Sequence, residues 1–511
     1  MRTNNSIRNS IVALVSNFLS ILIALIAQSI FIKILGIEYL GLNGLFTNIL
    51  TMLSIFELGI GSAIIYNLYE PIATNNIEKI KSIMKFYKKT YNLIAIIILL
   101  VGILMIPFLK TIVGEVSVDI NIYVIYVLFL ISTLTSYIIA YKRNLIYANQ
   151  KNYIVDLIHM CYLIILNILQ LIILYFTKQY YIYLLIKIIC QLFENIIITL
   201  IANKMYPYLL DEDIKILDKK IEKDIFSKVK ALVFHKVGAI IINGTDNIII
   251  SMYLGVAQVG IYTNYYTIIN AVKTVFSQVI SSTTASIGNL LVTENEEKIY
   301  DVFKKMRFLN FWIACFSGIS ILIIIQPFIS IWVGEEYKVS MFVVIILVLN
   351  FYQKMMRISY ASFKESAGIY IEDKFIPLIE SCLNIISSII LLKIFGLAGV
   401  FMGTIISGLT IWCYSYPKFV YKKLFNRTYY NYAKETLGYL ILFIIITFIT
   451  FSISKMIIIK NYYLQILINA ITALIIPNLI IVIIFRKTDN FKYFTNLLNE
   501  LLKEYINKKR E

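Results

Sequence analysis

Leu35-Gly36-Ile37-Glu38-Tyr39-Leu40-Gly41 opens a stretch, ending at Val113-Gly114-Glu115, much of which occurs a second time further along the chain. Leu35-Gly36 and Gly41 recur as Leu254-Gly255 and Gly260, and Glu78-Lys79-Ile80 recurs as Glu297-Lys298-Ile299, all at an offset of 219 positions. Pro107-Phe108 and Val113-Gly114-Glu115 recur as Pro327-Phe328 and Val333-Gly334-Glu335 at 220. One match of three residues would carry no weight. Several in one register, each at the same place relative to an apolar run, mark a doubled unit.

The material being doubled is apolar. Of 511 residues 59% are hydrophobic and 15% charged, with a mean hydropathy of +0.79, which is more apolar side chain than a soluble core of this size hides. Runs of about 20 apolar residues suffice to cross a bilayer. The first half offers Ile11–Ile34, Leu42–Tyr66, Tyr91–Ile112, Ile122–Leu145, Tyr153–Phe176 and Tyr180–Asn203, with a basic, surface-lying segment expected at Asn75–Thr90. The second half offers Ala231–Leu254, Gly260–Ile287, Phe308–Val333, Val339–Phe363, Phe375–Lys393 and Leu397–Val420, and Ala433–Lys455 and Tyr462–Phe485 follow outside the repeat. The expected fold is therefore an all-α polytopic membrane protein of about fourteen spans. Its parts would be a six-helix bundle over 1–206, a connector over 207–230, a second six-helix bundle over 231–420, and two further helices with a basic tail over 421–511.

A net charge of +17 invites a nucleic-acid reading, but no basic stretch is interleaved with aromatics on a soluble domain. Most of the 47 lysines and arginines fall in alternate connectors, from Lys79, Lys81 and Lys85 to the Lys508-Lys509-Arg510 end, while the intervening connectors, such as Gly255 to Gly260, are short and nearly uncharged. By the positive-inside rule both ends of the chain face the cytoplasm, and the charge also attracts anionic inner-leaflet lipid. The five cysteines lie in apolar runs without Cys-x-x-Cys spacing. No metalloprotease helix, phosphate-cradling loop with lysine or nucleophile elbow occurs, so neither an enzyme nor a cofactor is expected.

Ionisable groups inside spans are costly and mark candidate sites. Glu57 sits in Phe56-Glu57-Leu58-Gly59-Ile60-Gly61-Ser62-Ala63. Lys187, Gln191 and Glu194 share one helix face at i, i+4 and i+7, where a Lys187–Glu194 pair is the bland alternative. Asp246 follows in the seventh span, Asn270 and Lys273 in the eighth, Arg357 in the tenth and Glu380 in the eleventh. His159 and His235 read as satisfied interface residues, and Gly399, Gly403 and Ser407 as a packing stripe. Charges of both signs in both halves point to a polar chamber between the two, as in a transporter built from repeats.

The Glu57 octapeptide resembles the acidic-Leu-Gly element in helix two of Wzx-type polysaccharide flippases. Gly244-Thr245-Asp246-Asn247 through Gly260-Ile261-Tyr262 is similar to their helix seven to eight segment, and Gly396 to Gly408 to their helix twelve. The resemblance covers roughly residues 5–420. It implies the MATE-like superfamily of multidrug, oligosaccharidyl-lipid and polysaccharide exporters: two six-helix bundles around a central cavity lined by helices one, two, seven and eight, and alternating access. The extra pair of spans resembles that of the flippase branches, which twelve-helix drug exporters lack. Glu57 stands where the family often has Asp.

The implied cargo is an oligosaccharide on undecaprenyl diphosphate, moved from the inner to the outer leaflet of a bacterial cytoplasmic membrane for surface polysaccharide assembly. Membrane lipids would surround the protein, and a polymerase or other assembly protein could be its partner. Lys187, Lys273, Arg357, Gln191 and Asn270 would then hold the cargo, while Glu57, Glu194, Asp246 and Glu380 would oppose that attraction or couple to an ion. The rivals are a peptidoglycan-precursor flippase, a cation or drug antiporter, and, from another class, a membrane-embedded polysaccharide polymerase or glycosyltransferase. The last normally needs a sizeable outer loop, and the connectors here are short.

Overall fold

A computed structural model describes residues 2–57, 60–114, 116–138, 140–211, 217–281, 284–369, 372–457 and 459–508. Leu58 and Gly59 of the octapeptide, Glu115, and the side chains of Ser62 and His235 lie outside the described residues.

The repeated motifs turn out to be backbone punctuation. Helix α1 (Arg2–Leu35) meets α2 (Ile37–Leu53) through Gly36 at φ 98°, and α10 (Lys219–Leu254) meets α11 (Val256–Ser281) through Gly255 at φ 85°. Both glycines adopt a backbone that L-residues avoid, so each Leu-Gly ends one helix and starts the next without a loop. Gly114 (φ 70°) and Gly334 (φ 131°) adopt the same kind of backbone after α5 (Leu109–Val113) and α13 (Glu296–Trp332), where each Val-Gly copy ends a helix. Ahead of each Glu-Lys-Ile stands an asparagine cap, also 219 positions apart: Asn76 accepts from Lys79 N at 3.0 Å and Asn295 from Lys298 N at 2.9 Å.

The chain forms two compact units, Met1–Thr263 and Asn264–Glu511. After α2 the first unit passes through a 3₁₀ turn (Ser54–Glu57) to α3 (Ile60–Ala73), α4 (Ile77–Met105), α5 (Leu109–Val113), α6 (Ile122–Ile138), α7 (Ala140–Ala148), α8 (Asn152–Thr177), α9 (Tyr180–Met205) and α10. In it α1 packs along α8, α8 along α9, and α10 along α2. The closest approaches use the repeated glycines: a Cβ on Gly41 would come 2.0 Å from Val256 O, and one on Gly260 would come 2.3 Å from Ile37 O. Val256 and Gly260 stand 219 positions after Ile37 and Gly41, so the two copies of the motif cross reciprocally.

After α11 the second unit contains α12 (Thr284–Thr293), α13 (Glu296–Trp332), α14 (Met341–Ser366), α15 (Ile376–Phe395) and α16 (Leu397–Thr410). A π-helical stretch (Ile411–Lys422) then leads into α17 (Lys423–Phe425), α18 (Tyr429–Met456), α19 (Tyr462–Phe485) and α20 (Asp489–Lys508). Helices α15 and α16 form a hairpin about Gly396, where a Cβ on Gly399 would reach 2.1 Å from Leu391 O and one on Gly403 2.3 Å from Ser388 Oγ. The stripe of small residues is a helix-packing surface, as its spacing implied.

Among the described residues ten helices are long and apolar enough to cross a membrane, or eleven if the bent pair Ile122–Tyr137 and Ala140–Ala148 is one span. The chain is an all-α polytopic membrane protein; of the fourteen expected runs, eleven appear among these helices, with the bent pair taken as one, and the other three are also helical. The three runs outside that count are the second, broken near Glu57 into α2 and α3; the seventh, which among the described residues is a shorter apolar helix over Ile240–Leu254; and the eighth, α11, which carries Asn264, Asn270 and Lys273. A correction concerns Asn75–Thr90. This is no separate surface segment, because α4 runs unbroken from Ile77 and buries Ile83, Met84 and Tyr87 in its first turns.

Candidate functional site

In the first unit α2, α6, α7, α8 and α9 surround a cavity of about 360 Å³. Its α9 wall is the expected face: Lys187, Gln191 and Glu194 all line it. Gln191 Oε1 accepts from Ser132 Oγ of α6 at 2.8 Å. Glu194 is buried, and its Oε1 lies 2.9 Å from His159 Nδ1 and 3.3 Å from Arg143 Nη2. Arg143, which sequence reasoning did not single out, turns inward from α7. His159 is satisfied, and the acid it meets is part of the same cavity.

The Lys187–Glu194 pair is thus replaced by a Glu194–Arg143–His159 cluster. Lys187 Nζ sits 5.0 Å from the Phe129 ring centre, and among the described residues it has no carboxylate within ion-pair distance. An ammonium resting on an aromatic face in a spanning bundle is stabilised by the ring quadrupole, but its charge stays uncompensated. The cavity therefore joins hydroxyls and amides to a surplus of positive charge.

Glu57 occupies the break between α2 and α3. Its Oε1 accepts from Tyr91 Oη of α4 at 3.1 Å, and that hydroxyl accepts from Asn144 Nδ2 of α7 at 3.1 Å. Gly61 leaves room for the group, since a Cβ there would stand 3.3 Å from Tyr91 Oη. Tyr137 is a second close neighbour of Glu57 and also lines the cavity, so the acid adjoins the cationic site through one side chain. Asp246 is buried on α10 between Thr245 and Asn247, where α10 crosses α2 closely enough that a Cβ on Gly244 would meet Met52 Cγ at 2.5 Å.

In the second unit Asn270 and Lys273 lie half-buried within one turn of α11. Arg357 and Glu380 are brought together, Nη2 to Oε1 at 2.8 Å, and Arg357 Nη2 also donates to Gly408 O at 3.0 Å. That pair ties α14 to α15 and α16. A second buried arginine, Arg307, escaped sequence reasoning; it donates to Tyr421 Oη and lies 2.5 Å from Glu435 Oε2. Its signal was a lone arginine in the first turns of α13, which looked like a connector charge.

The family model for polysaccharide biosynthesis proteins matches residues 6–287. The chain belongs to that family. The flippase resemblance carried by the Glu57 octapeptide and the segment from Gly244 to Tyr262 falls inside the matched residues. Among curated proteins none matches the chain significantly.

Solved structures carry the same fold. A lipid II flippase, MurJ, in an inward closed conformation is similar at a TM-score of 0.65 and 16% identity, over 94% of this chain and 99% of that one. An inward-facing multidrug resistance MATE family transporter is similar at 0.58 and 14%, over 78% and 94%. A MATE transporter from Vibrio cholerae is similar at 0.55 and 12%, over 83% and 99%. The flippase spans more of this polysaccharide biosynthesis protein than either MATE transporter does.

Proposed function

We propose that the protein moves an undecaprenyl-diphosphate-linked oligosaccharide from the inner to the outer leaflet, by alternating access, for assembly of a surface polysaccharide. Family membership supports the polysaccharide setting, and one observation carries the cargo: Lys187 brings an uncompensated ammonium into a membrane-embedded cavity whose only lining carboxylate, among the described residues, is occupied by Arg143 and His159. A diphosphate is held there by charge-assisted hydrogen bonds, which gain strength where water is scarce. Gln191 offers amide donors to sugar hydroxyls. In the second unit Asn270 and Lys273 are further candidates for contact with cargo. Glu57, Asp246 and the Glu194 cluster temper the attraction, so that cargo bound in one orientation is released in the other. A drug or cation antiporter would need the opposite sign of charge in this cavity.

The test is export in a host lacking its own oligosaccharide flippase. Lys187→Ala is expected to reduce surface glycan about tenfold or more, the loss of one charge-assisted contact, while Lys187→Arg retains most of it. Full export by Lys187→Ala at normal protein level removes the assignment. Growth rescue of cells depleted of their peptidoglycan-precursor flippase, without glycan export, would move the cargo to the peptidoglycan precursor.

A further inference from the structure

In the second unit, away from the residues discussed for transport, a cavity of about 550 Å³ opens between the first turns of α13 and the start of α18. Lys304, Arg427 and Lys434 line it together with Tyr300, Asn431 and Glu435. The charge balance there favours an anion. Glu435 is committed inward, accepting from Arg307, from Tyr300 Oη at 2.5 Å and from Tyr421 Oη at 2.7 Å. Lys304 is only loosely engaged, 3.8 Å from Asp301, whose other oxygen takes Lys305 at 2.7 Å. Glu297, also on the wall, is exposed in the first turn of α13. Arg427 and Lys434 have no carboxylate within ion-pair distance among the described residues.

The donors are also held in place. Arg427 lies with its guanidinium carbon 4.8 Å from the Tyr300 ring centre, and Lys304 Nζ lies 5.2 Å from the same ring. One tyrosine, anchored by its hydroxyl on Glu435, thus spaces two cations before any ligand arrives. The N-terminal end of α18 adds its partial positive charge.

Depth selects the ligand. A helix of 37 residues is about 55 Å long against a hydrocarbon core of about 30 Å, and α13 is charged at its N-terminal end and apolar towards Trp332. Its apolar run begins at Phe308, one turn after Lys304, which puts the pocket at the edge of the hydrocarbon core, the level of lipid headgroups. We propose that this pocket binds a phosphate group, supplied by an anionic glycerophospholipid at the membrane surface. Arg427 would provide the paired donors that match two phosphate oxygens, and Lys304 and Lys434 the flanking charge. The proposal does not depend on the transport reading.

The experiment uses the full chain purified in detergent, native mass spectrometry to count bound short-chain phosphatidylglycerol against phosphatidylcholine of the same chain length, and a thermal-shift titration with inorganic phosphate. The wild-type protein is expected to retain phosphatidylglycerol preferentially. The double variant Arg427→Gln, Lys434→Gln should bind it about tenfold more weakly or worse, while the charge-matched control Lys422→Gln, Lys487→Gln, at exposed lysines outside the pocket, should not. Melting of the ligand-free variants beside the wild type separates lost binding from lost fold, and Arg427→Lys provides a milder second variant. A shift by inorganic phosphate that the pocket variant abolishes supports the phosphate site and makes a soluble phosphate its source. Equal retention of phosphatidylglycerol, and equal phosphate response, by the pocket variant and the control overturns the proposal.

Discussion

Removing one member of the Arg357–Glu380 pair leaves a charge inside a spanning bundle without its counter-ion. Glu380 is buried, its partner is four-fifths so, and the contact is 2.8 Å. Either Arg357→Ala or Glu380→Ala is expected to destabilise the protein by about 3–5 kcal/mol, whereas Arg357→Met with Glu380→Leu should recover much of that loss. Melting of the purified variants checks this. Recovery of both stability and glycan export by the double variant would make the pair a helix tie and not a cargo contact. At this scale the sequence was partly legible. The i, i+4, i+7 spacing put Lys187, Gln191 and Glu194 on one face, as observed, but a face does not reveal its opposite wall. Arg143 and His159 belong to α7 and α8, and only the packing of those helices brings them to Glu194.

Among the elements, the glycines of the repeat divide into two physical classes with different expected costs. Gly36 and Gly255 have positive φ and open space around the missing Cβ, so alanine there meets only backbone strain, about 1–3 kcal/mol. Gly41 and Gly260 meet the backbone of the crossing helix at 2.0 and 2.3 Å, a distance no side chain accommodates without moving α2 from α11. Gly41→Ala and Gly260→Ala should therefore lower the melting temperature more than Gly36→Ala and Gly255→Ala. Equal effects would mean that the crossing yields easily. The repeat was visible in the sequence because these positions admit glycine for backbone reasons, while the apolar residues between them are interchangeable and had drifted. The same logic separates the spans: most are uninterrupted apolar helices, whereas the second is broken between α2 and α3 and the eighth, α11, carries Asn264, Asn270 and Lys273 along its length.

For the whole molecule, the charge distribution predicts an orientation. Lysine and arginine resist translocation, so the connectors that hold them stay on the cytoplasmic side. The described helices sharpen the contrast, because Gly255 alone joins α10 to α11, and Gly396 alone joins α15 to α16. A reporter active only in the cytoplasm is expected to work when fused after Lys508. In intact cells, single cysteines at Lys85 and Lys219 should be shielded from an impermeant thiol reagent, in a background whose five native cysteines are replaced. A cysteine at Glu336, in the short turn after α13, should react from outside. Labelling at Lys85 with protection at Glu336 would invert the protein. The pocket of Lys304, Arg427 and Lys434 would then face the outer leaflet, and cargo drawn to Lys187 would have to enter from the opposite side.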